Sequence, residues 1–333
     1  MKRAQQRQPG DALPGPFIRG LRQKHGLTQE QLAHRLGIRG GKSVISAWET
    51  GATVCEGPAA ELLLRLLGDT GAAAGMDLAA LTTEADAVWG RAKDRILTWR
   101  QVAAVPDRPL SLERLKFANA FPSLSIPAKE HANGFPFVGL NSPVHGISQS
   151  GWTGVIPSAQ QRQPHYFWTL RWGGEFLYRE ANWEENERSP TSGHIHIRSL
   201  LTVALATTFF LRRLAKYFEV DASANYTLAL DLNGIAGRGI VTYHPAAPFD
   251  VVDDPPHLST EDHLQVTMTV SVADVMNDPV APGIRLINEL TGILRPDLSS
   301  NSALRRELKL AIESDKRTSG KYRWLGFLEN AKL

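Results

Sequence analysis

The sequence predicts an all-α N-terminal domain of short helices joined to a larger α+β domain, with antiparallel hairpins around a long core helix. Three observations predict it. Before residue 68, apolar residues recur at helical spacing between glycines. After residue 110, aromatic-rich and alternating runs flank glycine-containing turns. Between them and the C-terminal helices lies one long run, residues 195–218, apolar nearly all round in its middle. We divide the chain into a flexible basic arm (1–15), a helical domain (16–70), a linker and connecting helix (71–109) and an α+β body (110–333). At 333 residues, two or three domains is the ordinary expectation.

The elements follow in order. Residues 1–14 are polar, with Pro9 and Pro14, and read as an arm. Phe17, Ile18 and Leu21 sit at helical spacing in a segment that stops at Gly26. Thr28 and Gln31 form a capping box for the next helix, whose buried stripe is Leu32, Ala33 and Leu36. Gly37 ends it, and Gly40-Gly41 make a turn. A third helix is expected from about Lys42 to Thr50, with Val44, Ile45 and Trp48 facing inward and Gly51 as its stop. "GPAAELLLRLLG" from Gly57 reads as a fourth, with Pro58 near its start.

A small-residue linker at 68–77 follows, then a helical pattern over 78–103 broken by "VPDRP" at 105–109. "HYFWTLRWGGEFLYREANW" (165–183) predicts a hairpin whose two-residue turn, Gly173-Gly174, takes positive φ. Residues 184–193 form a polar loop, and 195–218 the long helix. Residues 225–244 predict a second hairpin, 263–272 alternate like a strand, and 284–294 and 302–314 read as helices.

Composition narrows the function. With 42% hydrophobic and 21% charged residues the chain is of ordinary globular type. The longest apolar stretch, Leu200 to Leu211, falls short of the roughly 20 residues a bilayer needs, so no membrane partner is expected. The N-terminus has no apolar core after its charges, so no signal peptide is expected. Cys55 is the only cysteine, which excludes an intramolecular disulfide and argues against a thiolate zinc site. A cytoplasmic, nucleoid-associated protein is the expectation. Charge is segregated. Residues 1–50 carry nine Lys or Arg against three acids, a net of +6, which leaves −3 for residues 51–333 out of a total of +3. A basic head on a near-neutral body suits a polyanion such as double-stranded DNA; a solvated basic surface accounts for the charge equally well.

A short helix, a tight turn and a second helix place one exposed helix in a major groove while the first crosses the backbone. Residues about 16–68 resemble the lambda-repressor/Cro-like (XRE-type) helix-turn-helix family. The resemblance rests on Leu27-Thr28-Gln29, Leu32-Ala33, Leu36-Gly37-Ile38, Ile45-Ser46 and Trp48-Glu49-x-Gly51. It implies a phosphate contact at the Thr28-Gln29 end of the second helix and base reading by Lys42, Ser43, Ser46 and Ala47. The run "Trp-Glu-x-Gly … Gly-Pro-Ala … Leu-Leu-Arg-Leu-Leu" is also similar to the branch that contains many antitoxins. One departure stands out: Gly37 to Glu49 is two residues longer than the family pattern, through Arg39–Lys42, which moves the start of the reading helix. Arg19, Arg22, Lys24, Arg39 and Lys42 are the phosphate-neutralising candidates. The arm's Lys2, Arg3 and Arg7 suit a minor groove, or simply solvent.

The body carries no motif of that specificity. His194 and His196 have strand-like metal-ligand spacing but open a helix, where capping or surface roles are the simpler reading. Asp250, Asp253, Asp254, Glu261 and Asp262 with His257 and His263 read as an acidic loop before they read as a cation site. "GIAGRG" (234–239) lacks the ending of a phosphate loop. Ser148 and Ser150 lack a nucleophile-elbow pattern. No catalytic set, metal or cofactor is expected. The aromatic hairpin has rings on both faces: Tyr166, Trp168 and Trp172 on one, Phe167 on the other. Trp168, Arg171, Trp172, Tyr178 and Arg179 are therefore the ligand or interface candidates, beside a core-only role. The basic segment 315–324 reads as a solvated tail or an added phosphate contact.

The expected function is a sequence-specific transcriptional regulator, a repressor, whose body forms a homodimer or senses a small-molecule or protein effector. Two alternatives stay open: an antitoxin or defence-system control protein, and a nucleic-acid-acting enzyme with a DNA-targeting head.

Overall fold

The computed structural model describes residues 12–13, 15–56, 59–60, 62–63, 77–89, 98–110, 112, 121–124, 126–128, 131–135, 145–148, 151–157, 164–181, 194–242, 257–317 and 328. In the head these form β1 (Ala12–Leu13), α1 (Gly15–Lys24), α2 (Gln29–Arg35), α3 (Gly41–Thr50) and β2 (Cys55–Glu56). The body contributes α4 (Leu78–Trp89), β3 (Trp99–Pro106), α5 (Phe121–Leu124), β4 (Ile126–Ala128), β5 (His131–Phe135), β6 (His145–Ser148), β7 (Gly151–Pro157), β8 (Pro164–Arg171) and β9 (Phe176–Ala181). It continues with β10 (Ile195–His196), α6 (Ile197–Phe218), β11 (Asn225–Asn233), β12 (Ile240–Val241), β13 (His263–Ser271), α7 (Val272–Asn277), α8 (Val280–Leu294), a 3-10 turn (Pro296–Leu298) and α9 (Asn301–Arg317).

Seven strands form one sheet in the order β13-β11-β3-β9-β8-β7-β6, every neighbouring pair antiparallel. Alternation sorts its side chains onto two faces. On one face Val102, Ala104, Trp168, Phe176, Leu228 and Leu230 join the main core with α6. Phe176 and Phe210 meet there at 4.7 Å between ring centroids. The other face carries Trp99, Ala103, Phe167, Leu177 and Ala229, capped by Leu81 and Ala85 of α4. Because helices cover both faces, the central strands are buried on both sides.

That double burial explains one correction. The helix expected over 78–103 ends at Trp89, and Trp99–Pro106 is a central strand, within the span read as linker and connecting helix. A strand buried on both faces has no polar face, so "WRQVAAVP" shows no two-residue alternation, and Ala103-Ala104 read as helix formers.

The hairpin at 165–183 is present, with a longer turn than expected. Arg171 N–H donates to Glu175 O at 2.8 Å and Gly174 N–H to Arg171 O at 3.0 Å, so Trp172, Gly173 and Gly174 form a three-residue loop. Of the two glycines only Gly174 takes positive φ, at +88°. A left-handed third residue is what the usual three-residue hairpin loop requires. The second expected hairpin does not form. β11 pairs with β13 and β3, while β12 leaves the sheet and pairs in parallel with β10. Gly234 and Gly237, both at positive φ, turn the chain away.

The long helix lies where expected, as α6, and is buried from Ser199 through Leu211 apart from Thr202 and Phe209. Thr208 Oγ1 donates to Pro279 O at 2.6 Å and so fixes the start of α8 against it. The strand at 263–271 and the helices at 280–294 and 301–317 match the sequence reading, the helices being longer. At the N-terminus, Ala12–Leu13 pair antiparallel with Cys55–Glu56, so the arm is pinned before it reaches α1. The linker at 68–76, the loop at 184–193, most of the fourth head helix and residues 318–324 lie outside the described residues.

Candidate nucleic-acid interface

The head is built around a small core. Ile18 and Leu21 of α1, Leu32 and Ala33 of α2, Leu36, and Ile45 and Trp48 of α3 are all buried. Each lies on the stripe its helix period sets. The capping box forms as the sequence requires: Gln31 N–H donates to Thr28 Oγ1 at 3.1 Å, and Thr28 N–H to Gln31 Oε1 at 2.7 Å. Gly51 closes α3 in the left-handed conformation. The turn between the two helices runs from the C-cap Leu36 to the N-cap Gly40, and α3 starts at Gly41.

Burying Ile45 and Trp48 turns the opposite side of α3 outward. Lys42 and Ser43 are exposed and Ser46 and Ala47 half-buried, with exposed Arg39 in the preceding turn. Ser43 Oγ donates to Gly40 O at 2.6 Å, which still leaves its oxygen able to accept. Lys24 ends α1, with its side chain outside the described residues.

Arg22 and Gln29 are placed differently from a free phosphate contact. Arg22 Nε and Nη2 donate to the Glu49 carboxylate at 2.5 and 3.1 Å, and Gln29 Nε2 donates to it at 2.9 Å. Arg22 Nη1 also donates to Leu27 O at 2.9 Å. Arg19 approaches Glu49 at 3.6 Å from an exposed stem. Burial pushes the Glu49 carboxyl up, but the hydrogen bonds from Arg22 and Gln29 and the charges of Arg22 and Arg19 outweigh it. Its pKa lies below the ordinary glutamate value. Glu49 thus ties α1, the N-terminus of α2 and the last turn of α3 together. Its signal in the sequence is a carboxylate beside the core Trp48, facing Arg22 from another helix.

In the body, Trp168, Arg171, Trp172, Tyr178 and Arg179 are all buried. Trp168 and Tyr178 belong to the core beneath α6, and Tyr178 Oη donates to Glu180 at 2.8 Å. Glu180 in turn pairs with Arg100. Arg171 pairs with Glu84 of α4, and burial lowers its pKa to about 10 against the opposing charge of Glu175. Arg179 lies 3.9 Å over the Trp99 ring and donates to Gln101 Oε1 at 2.8 Å and Asp86 Oδ1 at 2.7 Å. Gln101 passes the chain on to Asp231 at 2.9 Å and to Thr82 at 3.1 Å. Burial supports the core role for this hairpin: its two arginines fasten α4 to the sheet. Gln101, Asp231 and Asp86 were not singled out in the sequence; of the three, only Asp231 carries a local signal, an acid between Leu230 and Leu232 within a strand-like run.

The remaining candidates are scattered. His196 precedes α6 but makes no side-chain cap and is buried, so neither the capping nor the surface role applies to it. His257, Glu261 and Asp262 are exposed in the loop before β13, and His263 opens the strand 3.4 Å from Asp231. Asp250, Asp253, Asp254 and Ser150 lie outside the described residues, and Ser148 ends β6. Among the described residues no group of three His, Cys, Asp or Glu is placed to hold a metal ion. No described helix is long and apolar enough to cross a membrane.

Residues 15–74 match a family model described as a helix-turn-helix domain, and this part of the chain is a helix-turn-helix domain of the XRE/Cro-like type. Neither the curated proteins nor the solved structures give a match. The domain points to DNA binding.

Proposed function

We propose that the chain is a sequence-specific transcriptional regulator, a repressor, in which α3 reads base edges and the body dimerises or senses an effector. The observation that carries the reading is the split of α3: Ile45, Trp48 and Glu49 hold it to the head, while Lys42, Ser43 and Ser46 stand on its open side with Arg39 beside them. Lys42 and Arg39 supply phosphate or guanine contacts, and the serines suit either donor or acceptor edges. In this reading Arg22 and Gln29 position α3 rather than bind DNA themselves. The body has no catalytic role in it.

Selection of genomic fragments with the full-length protein at two salt concentrations tests the reading. Enrichment of one sequence near a promoter, weakened at higher salt and lost in Lys42→Ala/Ser46→Ala, is expected. Retention of fragments without any sequence preference, equally by both proteins, would overturn it.

A further inference from the structure

The two edges of the seven-stranded sheet differ. At one, β6 lies beside α1 of the head. At the other, β13 pairs with β11 along all nine residues without a bulge. Among the described residues one hydrogen bond reaches its outer side, from the Arg285 guanidinium to Thr269 O at 3.2 Å. Edge strands in soluble proteins are ordinarily blunted by lysines, prolines or bulges. β13, "HLQVTMTVS", has none of them and no acidic residue.

The hydrogen-bond phase of β13 is fixed at three points. Val272 N–H donates inward to Ala224 O at 2.8 Å, Asp262 O accepts inward from Ile235 N–H at 3.1 Å, and Thr269 O points outward to Arg285. Antiparallel strands alternate, so His263, Gln265, Thr267, Thr269 and Ser271 turn both backbone groups to the open edge. We infer that β13 is the homodimer interface: two copies pair antiparallel across a two-fold axis at Thr267, joining their sheets into one. Every outward residue then meets an outward residue: Thr267 faces its own copy, Gln265 faces Thr269, and His263 faces Ser271. On the core side Val266 faces Met268, and Leu264 faces Val270. Apolar residues oppose apolar ones, hydroxyls oppose a hydroxyl, an amide or an imidazole, and no like charges meet, which is what a stable cross-strand register requires. Thr269 O exchanges its bond from Arg285 for one from Gln265 N–H of the other copy.

This surface deepens the regulator reading, since a dimer presents two reading helices to a two-fold operator, and it rests on that reading for its purpose. The interface itself is tested without DNA. The full-length protein is weighed by light scattering over a concentration series, beside Thr267→Lys, Thr267→Cys and Thr227→Cys. Thr227 is exposed on the neighbouring strand and serves as the control. The native thiol of Cys55 is buried, with its pKa pushed up to about 12 by that burial, so it adds no background. A dimer is expected, with Thr267→Lys raising its dissociation constant about tenfold or more through facing like charges. Mild oxidation should cross-link Thr267→Cys and leave Thr227→Cys monomeric on a denaturing gel, because directly opposed residues lie within disulfide reach. A monomer at every concentration, or a dimer in which Thr267→Cys fails to cross-link, overturns the interface. The cross-link decides even where Thr267→Lys misfolds. A monomer that still selects an operator sinks the interface alone; a cross-linked dimer without DNA selectivity sinks the regulator reading alone.

Discussion

Arg22 grips the carboxylate of Glu49 with two nitrogens, at 2.5 and 3.1 Å, across the junction of α1 and α3. The Glu49 side chain is 1% exposed and that of Arg22 14%, so solvent screens the pair little. Removing one partner of such a pair leaves the other charge buried and unmatched. Glu49→Ala should therefore destabilise the head by about 3 kcal/mol. It should also loosen α3 and weaken DNA binding, although Glu49 has no outward face. Thermal melting and amide exchange of α3 check the first part, and fluorescence anisotropy with a selected operator the second.

The same carboxylate gives the head an acid limit. Its folded pKa lies below the ordinary value of 4.5, since bonds and charge from Arg22, Gln29 and Arg19 outweigh desolvation. For an acid with a depressed folded pKa, the stabilisation is fully present above the unfolded value. It is lost as pH falls through the folded one. Protection of α3 amides should hold steady from neutrality down to about pH 5 and then fall. In Glu49→Gln this pH-dependent part should vanish, leaving lower protection throughout. A wild-type profile that runs parallel to that of Glu49→Gln below pH 5 would remove Glu49 from the account.

The two sides of α3 should separate cleanly under mutation. Lys42 is exposed and Ser46 half-buried, so Lys42→Ala and Ser46→Ala should leave the melting temperature within about a degree. Each should cost roughly 1–3 kcal/mol of binding to a selected operator. Trp48 is buried in the head core, and Trp48→Ala should destabilise the head by about 3–5 kcal/mol. Melting and titration of the three variants together check this. Trp48→Ala with normal melting and no binding would mean that α3 faces the other way.

The head was legible because each of its elements is specified locally. The Thr28–Gln31 box, the Gly26 and Gly51 stops and the Ile45–Trp48 stripe lie within a few residues of the structure they define. Glu49 shows the limit of that legibility. Its chain neighbours mark it as the helix end, but its role depends on Arg22, 27 positions away. The body was legible where an element has one wet face, as β13 does, and where turn glycines mark a hairpin. β3 was missed because both its faces are covered, by α6 and by α4, so the pattern that betrays a strand is absent. The pairing of β12 with β10 joins residues some 45 positions apart and has no local signal. The arginines of the aromatic hairpin invited a ligand because their acidic partners, Glu84 and Asp86, sit on α4, far away in sequence.

Arg179 is the sharpest test of what holds α4 in place. Its guanidinium carbon lies 3.9 Å from the centre of the Trp99 ring while its nitrogens bond to Gln101 within the sheet and to Asp86 on α4. The side chain is 1% exposed, so Arg179→Ala opens a cavity and strands the amide oxygen of Gln101. A loss of about 3–5 kcal/mol of body stability is expected. Asp86 is 58% exposed, and without it the buried Arg179 guanidinium keeps its bond to Gln101, its place over the Trp99 ring and the nearby charge of Asp231. Asp86→Ala should accordingly cost less, about 1–2 kcal/mol. Arg179→Lys should recover little, because an ammonium cannot stack on the indole and reach both acceptors from one plane. Denaturant unfolding gives the three costs, and amide exchange locates them. If α4 keeps its protection in Arg179→Ala while the sheet loses it, the arginine serves the sheet alone, and Leu81 and Ala85 suffice to dock the helix.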